Sequence, residues 1–213
     1  MYIQLLTQQQ LKLNIMKKST LILGLGFAAI AGLSAFTSIE KKESTTATSI
    51  IEWTGSKVIG GDHTGTIAIK ESKLEFKKDK LIGGTVVADM TTITNTDLEG
   101  EWNQKLVGHL NSDDFFSTSK YPTATIKITE VNPGKDANTY NVVADLTIKG
   151  ITKSQKFTAI VKHEGKHHVV KVNVDIDRTQ YEVKYGSSSY FDSLGDKAIS
   201  DNFNLKVTIY TQN

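Results

Sequence analysis

From Ile51 onward, apolar and polar residues take turns. Tyr140, Val142, Ala144, Leu146 and Ile148 are apolar, while Asn141, Asp145, Thr147 and Lys149 between them are polar. The same parity runs through Val170, Val172, Val174 and Ile176 against Lys171, Asn173, Asp175 and Asp177. It returns in Phe203, Leu205, Val207 and Ile209, and again in Ala124, Ile126 and Ile128 among threonines and Lys127. A period of two means strands with one wet face and one dry face. Further strands are expected at 51–58, 64–70, 73–77, 84–92 and 157–163, about eight or nine in all. Turn chemistry separates them, as in Gly60-Gly61-Asp62, Lys78-Asp79-Lys80, Asn132-Pro133-Gly134 and Glu164-Gly165-Lys166.

One stretch has a helical period. Trp102, Leu106 and Leu110 recur every fourth position over 101–110, just after Gly100. A single helix of about three turns is too small to cover the apolar faces of eight strands. The strands must cover one another, by closing into a barrel or by stacking as a sandwich. Closure also removes exposed edges.

The N-terminal region follows other rules. Met16-Lys17-Lys18 precedes a run from Leu21 to Phe36 that is apolar or small except for polar Ser34. This is the layout of a secretory signal, and the run is short of the roughly 18 residues of a spanning helix. The expected organisation is an over-extended start at 1–15, a signal peptide at 16–38, a polar linker at 39–49 and a β domain at 50–213. The mature protein is then periplasmic or secreted, with no transmembrane segment.

Composition narrows the chemistry. The chain has 213 residues and no cysteine, which excludes disulfides, thiolate metal sites and a cysteine nucleophile. Its formal charge is +2; without Lys12, Lys17 and Lys18, 22 basic residues face 23 acidic ones. A nearly neutral body without a basic stripe has no electrostatic pull on nucleic acid. His163, His167 and His168 flank a hairpin turn with Glu164. They read as an exposed polar turn, and no metal is expected. Ser187-Ser188-Ser189 lacks a nucleophile elbow, so it reads as a flexible loop. Asp89 and Asp145 fall on the polar parity of their strands, which disfavours a hydrolase or isomerase. No catalytic residue and no cofactor is expected.

The segment Gly108-His109-Leu110-Asn111-Ser112-Asp113-Asp114-Phe115-Phe116, followed by Lys120-Tyr121-Pro122, resembles the signature of the YceI family. Asp145-Leu146-Thr147-Ile148-Lys149-Gly150-Ile151-Thr152-Lys153 is similar to the family's Leu-Thr-Ile-x-Gly-x-Thr-Lys hairpin, and Asp89-Met90-Thr91-Thr92-Ile93 to the strand end before its helix. Two departures stand out. The histidine of the family's Asp-x-x-His-Ser opening is missing from Ile51-Glu52-Trp53-Thr54-Gly55-Ser56-Lys57. The late Arg-x-Asp-Phe-Gly pattern survives only as Arg178-Thr179-Gln180-Tyr181-Glu182.

The resemblance implies an all-β fold: a closed antiparallel up-and-down barrel of about eight strands, lipocalin-like, with one short helix between strands. It also implies an elongated apolar pore that takes polyisoprenoid chains or related amphiphiles. The expected partner is therefore an isoprenoid-like or fatty molecule, and a homodimer is compatible. Strand parity and the signature place Trp53, Phe76, Val86, Met90, Trp102, Leu106, Phe115, Phe116, Ile126, Leu146, Val174 and Phe203 around that cavity. The competing reading is an envelope structural protein with a solid core.

Overall fold

In the computed structural model, which describes residues 48–211, eight strands close into one antiparallel barrel in chain order. They are β1 (Ile50–Lys57), β2 (Asp62–Lys77), β3 (Lys80–Asp89), β4 (Thr123–Pro133), β5 (Thr139–Ile148), β6 (Ile151–Glu164), β7 (His167–Asp177) and β8 (Ile199–Tyr210). Pairing of β1 with β8, from Ile50 against Thr208 to Gly55 against Phe203, closes the ring. Barrel and sandwich are thereby distinguished: among the described residues no strand is left at an edge. The proposed leader at 1–15 and 16–38, and the linker up to residue 47, lie outside the described residues. No described helix is long and apolar enough to cross a membrane.

The two strands expected at 64–70 and 73–77 are one bent strand. The β2–β3 register shifts between Ile69 and Glu71. A bulge there moves the inward parity from odd (Ile67, Ile69) to even (Leu74, Phe76), so the apolar pattern changes phase while the strand continues. A second shift between Ile128 and Glu130 does the same on β4, taking the inward set from Ile126 and Ile128 to Val131. The tightest reversals put non-glycine residues in left-handed backbone. Lys78 and Asp79 have φ of 50° and 61°, and Lys149-Gly150 have 50° and 75°, as two-residue hairpins require.

The helix α1 (Gly100–Asn111) joins β3 to β4 at one end of the barrel. Its N-cap, Glu99, makes no side-chain cap. Asn103 anchors that end instead, its Nδ2 donating to the carbonyls of Asn95 and Leu98, both at 2.9 Å. The segment leading into α1 borrows strand pairing, with the amides of Thr94 and Thr96 donating to Thr66 and Thr64 carbonyls at 2.9 Å.

Trp53 lies across from Gly65 in the β1–β2 ladder, and its indole Nε1 donates to the Thr94 carbonyl at 3.1 Å. A Cβ at Gly65 would collide with that carbonyl and stand 2.6 Å from two indole carbons. Glycine is required here by close approach, not by an unusual φ. Gly65→Ala is expected to cost about 2–3 kcal/mol, read as a lower midpoint in urea. An unchanged midpoint would show that the Trp53–Thr94 contact gives way freely.

Candidate functional site: the barrel interior

Inward-facing residues from all eight strands form the interior, and they do not fill it. Val172, Val174, Leu205 and Val207 point inward, yet each is only half-buried. They line a cavity of about 140 Å³ that extends from Leu81 and Val170 toward Met90 and Phe116. A second cavity of about 70 Å³ lies under α1, among Trp53, Ile93, Leu110 and Phe115. Both are lined by Ile67, Phe116, Phe203 and Leu205. The two therefore lie end to end, with the Phe116 and Phe203 rings, 6.3 Å apart and edge-on, between them. For scale, an apolar cavity of about 150 Å³ stays dry and takes up a benzene-sized guest.

The signature segment builds the helix end of this interior. Ser112 is the C-cap of α1, and its hydroxyl donates to the His109 carbonyl at 2.7 Å rather than accepting from a free amide. The amides of Phe116, Ser117 and Thr118 return to the carbonyls of Leu110, Ser112 and Asn111. This reversal turns both phenylalanines under the helix, Phe115 buried and Phe116 half-buried. Asp113 accepts from Lys120 and from the Ser117 hydroxyl; these two partners hold its carboxyl below the usual carboxylate range. The Pro122 carbonyl takes the Met90 amide at 2.9 Å, tying the Lys-Tyr-Pro turn to the end of β3. His109 packs edge-on against Phe115 and Tyr185, at centroid distances of 4.8 and 4.4 Å.

Polar groups enter this interior at few points. Gln155 shares the inward parity of Phe157 and Ala159, and its amide donates to the Tyr181 hydroxyl at 2.9 Å. Arg178 reaches the smaller cavity, but four of its five N–H donors are already engaged. Nε serves the Ser200 carbonyl, Nη1 those of Val183 and Tyr185, and Nη2 that of Ile199, at 2.7–3.0 Å. Burial pushes its guanidinium pKa down, opposed by the nearby Asp201 and Asp177 carboxylates. It stays charged, as guanidinium does in proteins.

The twelve residues placed at the cavity by parity and signature separate into four groups. Val86, Met90, Ile126, Leu146 and Val174 line the larger cavity, Trp53 and Phe115 the smaller one, and Phe116 and Phe203 both. Leu106 packs on the core beneath α1 without lining either space. Phe76 lies toward the far end of the barrel, stacked on His168 at 4.0 Å. Trp102 is a correction: it is 70% exposed, beneath the Lys105 ammonium. A spacing of four overshoots the helical repeat of 3.6, so the apolar stripe drifts around α1. At its N-terminal end the inner position falls to Asn103. Sequence reasoning missed Gln155 and Arg178; a polar residue on the dry parity of β6 was the available signal for the first.

The YceI-like domain family matches residues 38–211. The chain belongs to the YceI-like family. Among curated relatives, a UPF0312 protein of Photorhabdus laumondii is 45% identical over 58 residues, 27% of this chain and 29% of that protein. The protein YceI of Escherichia coli is 40% identical over 57 residues, again 29% of its length. The sequence alignments thus span under a third of these relatives. Fold similarity runs further. BcnA of Burkholderia cenocepacia aligns with a TM-score of 0.63 at 18% identity, over 77% of this chain and 96% of that one. A polyisoprenoid binding domain from Saccharophagus degradans aligns with 0.55 at 16% identity, over 76% and 92%. At such identities the likeness is one of fold. In this YceI-like barrel the segment that matches the family's late pattern only loosely is packed into the fold. Arg178 and Tyr181 are buried, and Glu182, where the pattern has glycine, adopts left-handed backbone at φ 58°.

Proposed function

We propose that the chain is an exported binding protein, periplasmic or secreted, that holds an isoprenoid-like or other long apolar or amphiphilic molecule inside the barrel. The observation that carries this reading is the incompletely filled dry interior, in which Val172, Val174, Leu205 and Val207 face inward and stay half-buried. Apolar side chains left uncovered inside a fold gain from a guest at about 0.8 kcal/mol per methylene. Ten methylenes give roughly 8 kcal/mol gross, near micromolar affinity before ordering costs. Shape and dryness suffice for such binding, which agrees with how few polar groups reach the cavity. The polyisoprenoid binding domain of Saccharophagus degradans, on the same fold, supports the chemical class. The basic and apolar sequence of residues 16–36 supports export.

Protein gently purified from its own cells is expected to release an apolar chain-like compound on organic extraction, matched by an added mass in native mass spectrometry. N-terminal sequencing of that protein is expected to begin near residue 38. Repeated recovery of empty protein overturns the binding assignment. A mature chain that begins at Met1 overturns the export assignment.

A further inference from the structure

The end of the barrel away from α1 holds a second site. Three side chains meet there from two hairpins. His163 near the end of β6 and His168 near the start of β7 are direct cross-strand partners. Opposite residues of an antiparallel pair project to one face, and these continue the inward parity of Val161 and Val170 to the rim. Glu164 and His167 are the next opposed pair and project to the other face; His167 Nδ1 lies 2.8 Å from the Thr211 carbonyl oxygen. The pairing thus splits the histidine cluster of the sequence in two. His163, Glu164 and His167 are exposed, as an exposed turn requires, but His168 departs from that reading: its side chain is only 5% exposed and stacks on Phe76. The third member is Asp79, 89 residues before His168, at the tip of the β2–β3 hairpin.

We propose that Asp79, His163 and His168 form a binding site for a divalent metal of the zinc class, with one coordination position open to solvent. Each residue offers one ligand atom. His168 Nε2 lies 3.3 Å from His163 Nδ1 and 3.2 Å from Asp79 Oδ1, and the last two are 3.5 Å apart. Bonds of about 2.0–2.1 Å in a tetrahedron place neighbouring ligand atoms about 3.3–3.4 Å apart. The three atoms therefore already form one face of such a tetrahedron. Hydrogen bonding alone satisfies them poorly. A neutral His168 with its proton on Nε2 gives it to one of two neighbours, and its buried Nδ1 has no partner. Two imidazoles and one carboxylate with a free position are a donor set for Zn²⁺ or Co²⁺ rather than for Ca²⁺ or Mg²⁺, which take oxygen. The exposed Asp79 and His163 leave the fourth position to water. Lys77, Lys78 and Lys80 on the same hairpin oppose a dication, so the expected affinity is micromolar rather than nanomolar. A metal held there joins the β2–β3 and β6–β7 hairpins at the barrel rim.

The test uses the untagged full chain, stripped with a chelator. Calorimetric titration with Zn²⁺ alone is expected to show one equivalent bound. Co²⁺ alone is expected to give the intense visible bands of four-coordinate geometry, displaced by Zn²⁺. His163→Ala and Asp79→Asn, both at exposed positions where the fold tolerates change, are each expected to weaken binding at least tenfold. His167→Ala is expected to leave it unchanged, and circular dichroism controls for folding. The proposal is overturned by absence of stoichiometric binding, by binding indifferent to both His163→Ala and Asp79→Asn, or by loss in His167→Ala.

Discussion

Arg178→Met is expected to lower stability by about 3–5 kcal/mol, more than the Gly65→Ala clash costs. The side chain is 3% exposed and donates to four backbone carbonyls, those of Val183, Tyr185, Ile199 and Ser200. Methionine fills similar space but supplies no donor, so buried acceptors that Arg178 serves lose their partner. The deficit falls on the connection between β7 and β8, which closes the helix end of the barrel. For a domain of this size, about 2–4 °C per kcal/mol implies a Tm lower by roughly 10 °C. Arg178→Lys is not expected to rescue it, because one ammonium cannot reproduce the planar fork that spans carbonyls on both sides. Hydrogen exchange should place the first loss of protection in residues 183–200. A methionine variant within a degree or two of wild type would show that the loop satisfies itself without the guanidinium.

Arg178 also marks where the sequence stops being legible. Alternation gave the strands because a half-dry strand must place every second residue on one face, and Val142, Ala144, Leu146 and Ile148 are indeed buried together. Alternation cannot tell a barrel from a sandwich, since both bury one face; closure appears only in the β1–β8 register. A bulge preserves apolar content while shifting its phase, which is why 62–77 read as two strands. The interior residues of β3, β4, β5 and β7 followed from parity. Trp102 did not, because four-residue spacing on a short helix leaves the inner face undetermined by about a quarter turn. The rim cluster lay beyond reach for another reason. His163 and His168 are close in sequence, but Asp79 reaches them only through the barrel's curvature, and no local pattern carries that. The role of Arg178 was hidden by its type: two carbonyls of the β7–β8 connection and two at the start of β8 turn a residue that reads as surface into a core element.

Filling the larger cavity from one strand is expected to separate holding a guest from holding the fold. Val172 and Val174 face inward on β7, line the 140 Å³ space and are only half-buried. Val172→Phe together with Val174→Phe adds about four carbons at each position, directed into space that no side chain occupies. Overpacking normally costs stability because the new atoms displace neighbours; here there is room, so Tm is expected to hold or rise, as cavity filling commonly gives about 0.5–2 kcal/mol. The same atoms exclude about four methylenes of a guest. At about 0.8 kcal/mol each, that is about 3 kcal/mol, or on the order of 100-fold in Kd. The measurement is fluorescence titration with cis-parinaric acid, a chain-like apolar probe, alongside mass analysis of extracts. Lys171→Ser, on the exposed parity of the same strand, is expected to bind as wild type does. A filled variant that stays folded and takes up the probe with undiminished affinity would move the binding site out of the barrel.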